Sequence, residues 1–102
     1  MNKVIVNGKV AVLIAPSFGA GWYTWNYNHP EILFDPGIVS LIEAEKWDEM
    51  KTYVALKYPE IYDGAIDDLQ VEWITEGALF KVNAYDGAES IELKEDEGWL
   101  VA

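Results

Sequence analysis

Short turn-forming dipeptides constrain this chain more than any other feature, because they divide it into brief strands. Asn7-Gly8 lies between two runs of apolar and β-branched residues. Asn-Gly is the strongest short-range hairpin signal, since both central positions of a type I′ turn require positive φ. The sequence therefore predicts an N-terminal hairpin with strands near residues 3–6 and 9–14.

The last third of the chain returns to a strand pattern. Val71–Ile74 and Leu79–Tyr85 alternate between apolar and polar residues, as half-buried strands do, and Glu76-Gly77 offers a turn between them. Asp86-Gly87 is a further turn signal. Additional short strands are predicted at Ser90–Leu93 and Trp99–Val101.

The middle of the chain has helical signals. Asp35-Pro36 predicts a helix start, because Asp is a good N-cap and Pro suits the first helical position. A second helix is predicted over residues 45–57, where Met50 and Val54 belong to a stripe with helical spacing, and Pro59 ends it. The fold class is therefore α+β, in one domain over residues 1–102: a mostly antiparallel sheet, formed by the N-terminal hairpin and the C-terminal strands, packed with two helices.

Charge and composition narrow the possible partners. Eighteen acidic residues face seven lysines and no arginine, for a formal net charge of −11. Such a chain is repelled by DNA and RNA, so we expect no direct nucleic-acid binding, and its acidic surface favours a partner with a basic patch.

The absence of cysteine excludes disulfides and favours a reducing, cytoplasmic setting. The apolar run at residues 10–15 is too short to span a bilayer, so no membrane contact is expected.

Potential catalytic groups are sparse. His29 is the only histidine, and a hydrogen-bonded loop residue is its simplest interpretation. Asp67-Asp68 and the Asp86/Glu89 pair are the nearest to paired acids or a Mg²⁺ site, but aspartates in such places usually serve turns. We therefore assign no catalytic residue, metal or cofactor, and predict that the protein is not an enzyme. A carboxylate-based, metal-dependent hydrolase is the least supported alternative.

The segment Ser17–Tyr27, here called the aromatic loop, contains five aromatic residues beside a Gly-Ala-Gly step. Its rings could fold inward and extend the core. Alternatively, Gly19–Gly21 could present backbone N–H groups to an anion while the rings stack on a planar, nucleotide-like ligand. The candidate ligand-binding residues are Phe18, Gly19, Ala20, Gly21, Trp22, Tyr23, Trp25 and Asn26.

Several short motifs carry a resemblance. They are Phe18–Trp22 with Trp25-Asn26, Leu33–Pro36, Val71–Trp73, Tyr85–Gly87 with Glu89, and Trp99–Val101. With these motifs, the chain resembles a family of short, acidic, uncharacterised proteins encoded by tailed bacteriophages. The resemblance implies a small accessory protein made in the cytoplasm of an infected bacterium, where such proteins often act in counter-defence or host takeover.

Two functions follow as hypotheses. In the first, the protein binds a nucleotide-like small molecule through the aromatic loop. In the alternative, it is an acidic protein-interaction inhibitor that mimics nucleic acid and blocks a basic groove of a host protein. Five tryptophans and six tyrosines exceed what a small core encloses, so we also expect a homo-oligomer.

Overall fold

The computed structural model describes residues 2–93 and 100–102 and shows the predicted α+β fold. The strands are β1 Ile5–Val6, β2 Lys9–Ile14, β3 Gln70–Thr75, β4 Leu79–Tyr85, β5 Ala88–Leu93 and β6 Leu100–Val101. The helices are α1 Pro36–Glu43 and α2 Trp47–Lys57, with 3₁₀ turns at Tyr23–Trp25, Pro30–Leu33 and Ile66–Asp68. Within the described residues, no helix has the length and apolar character needed to cross a bilayer.

The predicted element bounds differ from the observed ones mainly at the ends. β2 matches residues 9–14, whereas β1 is shorter than predicted. Helix α2 begins at Trp47 rather than residue 45, because Glu45 adopts a positive φ of 57° in the connection from α1. Of the predicted closing strand, Leu100–Val101 forms β6, and Trp99 lies outside the described residues.

The strands form two three-stranded antiparallel sheets, ordered β1-β2-β3 and β5-β4-β6. In the first sheet, β2 pairs with β1 through the Asn7-Gly8 hairpin and with β3 on its other side. Asn7 and Gly8 have φ values of 51° and 75°, and Asp86 and Gly87 have values of 52° and 83°. Both predicted turns therefore have the positive φ pair that a type I′ hairpin requires.

Strand β2 lies at the centre of the molecule and is buried on both faces. Val10, Val12 and Ile14 belong to the inter-sheet core, which is shared with Phe80 and Val82 of the second sheet. Ala11 and Leu13, with Ala15 just after the strand, belong to the helix-side core, which is shared with helix residues Ile38, Val39, Met50 and Val54. Burial on both faces explains why β2 is a continuous apolar run instead of an alternating one. The strand ends at Ile14, and the aromatic loop begins at Ser17.

Candidate functional site

The aromatic loop is held to the second sheet by one buried carboxylate, which we call the Glu89 anchor. Oε1 of Glu89 accepts a hydrogen bond from the Ala15 backbone N–H at 2.9 Å. Its Oε2 accepts from the backbone N–H groups of Trp22 and Thr24, at 3.0 and 2.8 Å, and from the Thr24 hydroxyl at 2.8 Å. Because these donors lie on both sides of the Gly-Ala-Gly step, one side chain of β5 sets the path of the loop.

Two of the candidate ligand-binding residues are structural. Trp22 is 0% exposed, and its Nε1 donates to the Ile32 carbonyl at 3.0 Å. Buried Asn26 donates from Nδ2 to the carbonyls of Trp22 and Tyr62, both at 2.8 Å, and its Oδ1 accepts from the Tyr62 N–H. The expectation that Trp22 can stack on a ligand is therefore wrong, because the ring is enclosed in the helix-side core.

In the Gly19–Gly21 step, where an anion-binding site is predicted, one of the backbone N–H groups already has an acceptor within the chain. The Gly19 N–H donates to the Asp86 carbonyl at 2.9 Å. The anion that lies against this loop is the chain's own Glu89, and its backbone donors come from Ala15, Trp22 and Thr24. Glycine is required at Gly21 for space, since an added Cβ would overlap the Thr24 and Trp25 side chains. Ala20 is half-buried and packs against the helix-side core.

Other rings of the loop face solvent in two pairs. Phe18 is 69% exposed and meets Tyr85 edge to face, with ring centroids 6.3 Å apart. Trp25 is 49% exposed and meets Tyr62 at 5.2 Å with the rings tilted by 37°. Tyr27 is also exposed, whereas Tyr23 is half-buried against the inter-sheet core. The loop therefore combines buried residues that hold its shape with rings that stay accessible.

The acidic pairs named from sequence do not meet as a catalytic site. Asp86 is exposed and has the turn conformation expected for it, but Glu89 is buried in the anchor and lies in β5, outside the Asp86-Gly87 turn. Asp67 pairs with Lys51 at 2.5 Å. Nδ1 of His29 lies 3.4 Å from Oε1 of Glu31. Within residues 2–93 and 100–102, no three His, Asp or Glu side chains are grouped so as to hold a metal ion.

A second polar centre, the Asp35 cluster, joins the start of α1 to the end of α2. The buried Asp35 carboxylate accepts at Oδ1 from the N–H groups of Gly37 and Ile38, at 2.8 and 3.1 Å, and from the Tyr53 hydroxyl at 2.8 Å. Its Oδ2 accepts from the Lys57 ammonium at 2.9 Å and from the Tyr58 hydroxyl. The cap was predicted from sequence, whereas its partners on α2 were not.

Hydrogen bonding and burial together shift the pKa values of this cluster. Burial alone would raise the pKa of Asp35, but hydrogen bonds from Tyr58, Lys57 and Tyr53 outweigh it and hold that pKa below its usual value. The hydrogen bonds of Lys57 to Asp35 and Tyr53 raise the pKa of its ammonium. Burial, followed by the hydrogen bond to Asp35, raises the pKa of the Tyr58 hydroxyl. At neutral pH the cluster therefore contains a carboxylate, an ammonium and neutral phenols.

A small cavity opens beside this cluster. It has a volume of about 140 Å³ and is lined by Asn2, Glu31, Asp35, Pro36, Lys57 and Tyr58. The sequence signal for the α2 partners of Asp35 is the spacing of Tyr53 and Lys57, which places both side chains on one face of α2. That spacing could not show which carboxylate they meet.

The comparisons with known proteins supply no relative from which a role could be transferred. No protein-family model, curated protein or solved structure matches this chain. The assignment of a site therefore depends on the geometry of the aromatic loop and the Asp35 cluster.

Proposed function

We propose that this protein is a non-catalytic binding protein that contacts a basic protein partner through the exposed rings of the aromatic loop. One observation supports this proposal most directly. The side chains of Phe18 and Trp25 are exposed to solvent, while Glu89 holds the loop backbone in place. A loop that is already ordered loses little entropy when it binds, and exposed aromatic residues are typical anchors of protein interfaces.

The chemistry next to the rings favours a cationic partner. Tyr85 is followed by Asp86, and Tyr62 is followed by Asp63; both aspartates are exposed. An aromatic face beside a carboxylate suits the side chains of lysine and arginine, through cation–π contact and charge pairing. The net charge of −11 would also speed encounter with a basic surface and make association salt-sensitive.

The biological setting of the proposal comes from the resemblance to bacteriophage proteins. On that basis, we propose that the partner is a host protein of the bacterial cytoplasm and that blocking its basic groove serves counter-defence or host takeover. We also propose that the chain forms the expected homo-oligomer, through a surface other than these rings, which the partner needs accessible. Light scattering that gives 11.5 kDa for the purified protein would contradict that oligomer.

Capture experiments at two salt concentrations test the partner. Immobilised wild type is exposed to bacterial lysate beside a Trp25→Ala variant and a matched control, Leu56→Ala. Leu56 is 80% exposed on α2 and belongs to neither ring pair. We expect one protein to bind wild type and the control at low salt, to dissociate at high salt, and to be lost on Trp25→Ala. The purified partner should then bind the chain in calorimetry, with the same variant dependence. Equal capture by Trp25→Ala would contradict the proposal.

A nucleotide-like small molecule is a second candidate, favoured by the Trp25–Tyr62 pair. The half-exposed Trp25 ring offers a surface for stacking, and exposed Asn28 lies close in sequence to hydrogen-bond a polar edge. Calorimetry against a panel of cyclic and ADP-ribose nucleotides tests this function. Binding by wild type and Leu56→Ala, but not by Trp25→Ala, would support it. An absence of binding to every nucleotide of the panel would contradict this second function.

A further inference from the structure

The Lys57 ammonium lies at the rim of the cavity beside the Asp35 cluster and can donate one more hydrogen bond. Lys57 has three N–H donors. One reaches Oδ2 of Asp35 at 2.9 Å, and a second reaches the Tyr53 hydroxyl at 3.0 Å. The Lys57 side chain is half exposed and lines the cavity. In the described part of the chain, its third N–H is therefore available to a ligand that enters there.

The acceptor on the same cavity is Glu31 and not Asp35. Asp35 already accepts five hydrogen bonds, which occupy the lone pairs of both oxygens. Glu31 belongs to the Pro30–Leu33 turn, and its side chain is 43% exposed beside His29. Since Lys57 neutralises Asp35, the charge that remains for a ligand to meet is the Glu31 carboxylate.

The size of the cavity favours a ligand of a few heavy atoms. Its volume is about 140 Å³, and it is open to solvent on one side. Sites for drug-sized ligands measure about 300–1,000 Å³. A small molecule therefore fits the cavity better than a whole nucleotide, and a phosphate group would meet the negative charge of Glu31.

We propose that this cavity binds a small zwitterion, an amino acid with a short side chain. Its carboxylate accepts the third N–H of Lys57, its ammonium donates to Glu31, and Pro36 with the Tyr58 ring supplies apolar contact. Only a molecule with both charges uses both groups of the cavity. This site shares no residue with the ring pairs of the aromatic loop, so it stands or falls separately from the proposed function.

Titration of the ¹⁵N-labelled protein with glycine or alanine, followed by NMR, tests the proposal. We expect saturable shifts of the backbone amides at Glu31, Gly37 and Tyr58. Acetate and methylamine, each with one of the two charges, should bind at least about tenfold more weakly, because each loses one charge-assisted hydrogen bond. An absence of shifts with both amino acids, or acetate binding as tightly as glycine, would overturn the proposal.

Two substitutions separate this site from a general charge effect. Glu31→Gln should weaken alanine binding by about tenfold, because it removes the ammonium's charged acceptor. Glu43→Gln, at an exposed acid at the end of α1, should leave alanine binding unchanged. The thermal unfolding of Glu31→Gln, measured alongside, shows whether the variant is folded. A folded Glu31→Gln protein that binds alanine as wild type does would overturn the proposal.

Discussion

The Glu89 anchor and the Asp35 cluster each contain a buried carboxylate, but the donors around the two carboxylates differ. Glu89 accepts only neutral donors, and these lie 65 to 74 residues away in the aromatic loop and at the end of β2. Asp35 accepts two N–H groups of its own helix, two phenols and the Lys57 ammonium. The first carboxylate orders a loop, whereas the second joins two helix ends.

This difference determines what happens when a carboxylate is lost. Two of the three N–H groups around Glu89, those of Ala15 and Trp22, are buried and cannot turn toward water without moving the loop. Lys57 is half exposed and can be solvated again. A buried donor left without a partner costs more free energy than the net gain from an ordinary hydrogen bond. We therefore expect the Glu89 anchor to be the more sensitive of the two regions.

Glu89→Ala should have the largest effect, lowering the free energy of unfolding by about 4 kcal/mol, because several donors lose their acceptor at once. Urea titration followed by tryptophan fluorescence measures it, with Trp22 and Trp25 of the loop contributing to the signal of the five tryptophans. Glu72→Ala, at an exposed position of β3, is the control and should change stability by less than about 0.5 kcal/mol. Equal stability of the two variants would show that Glu89 does not hold the loop.

Gly87→Ala should rank second, at about 3 kcal/mol, because it combines positive φ with overpacking. Gly87 has φ of 83°, and an added Cβ would overlap the Gly19 carbonyl oxygen. Gly77 has nearly the same φ, 84°, with no atom within 4 Å of the added Cβ, so Gly77→Ala isolates the backbone strain at about 1 kcal/mol. Chemical denaturation of both variants gives the difference. Equal losses would mean that the loop does not press against the β4–β5 turn.

Asp35→Asn should cost less, about 2 kcal/mol near pH 7, because the amide oxygen can still cap α1 while the pairing with Lys57 is lost. The folded pKa of Asp35 lies below its unfolded value of about 3.8. Its contribution to stability is therefore full above the unfolded pKa and is lost as pH falls through the folded pKa.

The pH dependence makes the Asp35 prediction specific. Urea titrations of wild type and Asp35→Asn at a series of pH values should give a constant difference in stability above about pH 5 that shrinks below about pH 4. Other acids titrate in both proteins, so the difference isolates Asp35. A difference that stays constant down to about pH 2 would contradict the assigned pKa direction.

Phe18→Ala should have the smallest effect on stability, below about 1 kcal/mol, because the ring is 69% exposed. A double-mutant cycle with Tyr85→Ala should give a coupling of about 0.5–1 kcal/mol for the edge-to-face pair. If the exposed rings are the contact surface, Phe18→Ala should also weaken partner capture while the fold is unchanged. A large loss of stability would instead make Phe18 a core residue.

Much of the fold was predictable because its signals are local. The Asp35 cap acts on N–H groups two and three residues away, so the dipeptide with Pro36 was enough to place the start of α1. Asn7-Gly8 and Asp86-Gly87 both form the predicted turns, because their φ preference depends on their own side chains. The continuous apolar pattern of β2 likewise corresponds to a strand that is buried on both faces.

The candidate site was predictable only as a segment. Trp22 and Trp25 lie in the same loop, yet one is enclosed and the other is half exposed. The periodicity of the sequence does not distinguish the two rings, because their environments depend on Glu89, Ile32 and Tyr62. These residues lie outside the loop, and no local sequence rule places them against it. The Asp35 cluster shows the same limit, since its partners lie on another helix.

Sequence alone determined the turns, the helix start, the two helices, most strands and the acidic surface, because each depends on backbone preferences or charges that act within a few residues. Tertiary structure alone decided that Glu89 holds the aromatic loop, that Trp22 is core while Phe18 and Trp25 are surface, and that Asp35 meets Lys57. The physical reason is that buried polar groups must find partners, and in a folded chain those partners come from whichever segment packing brings near.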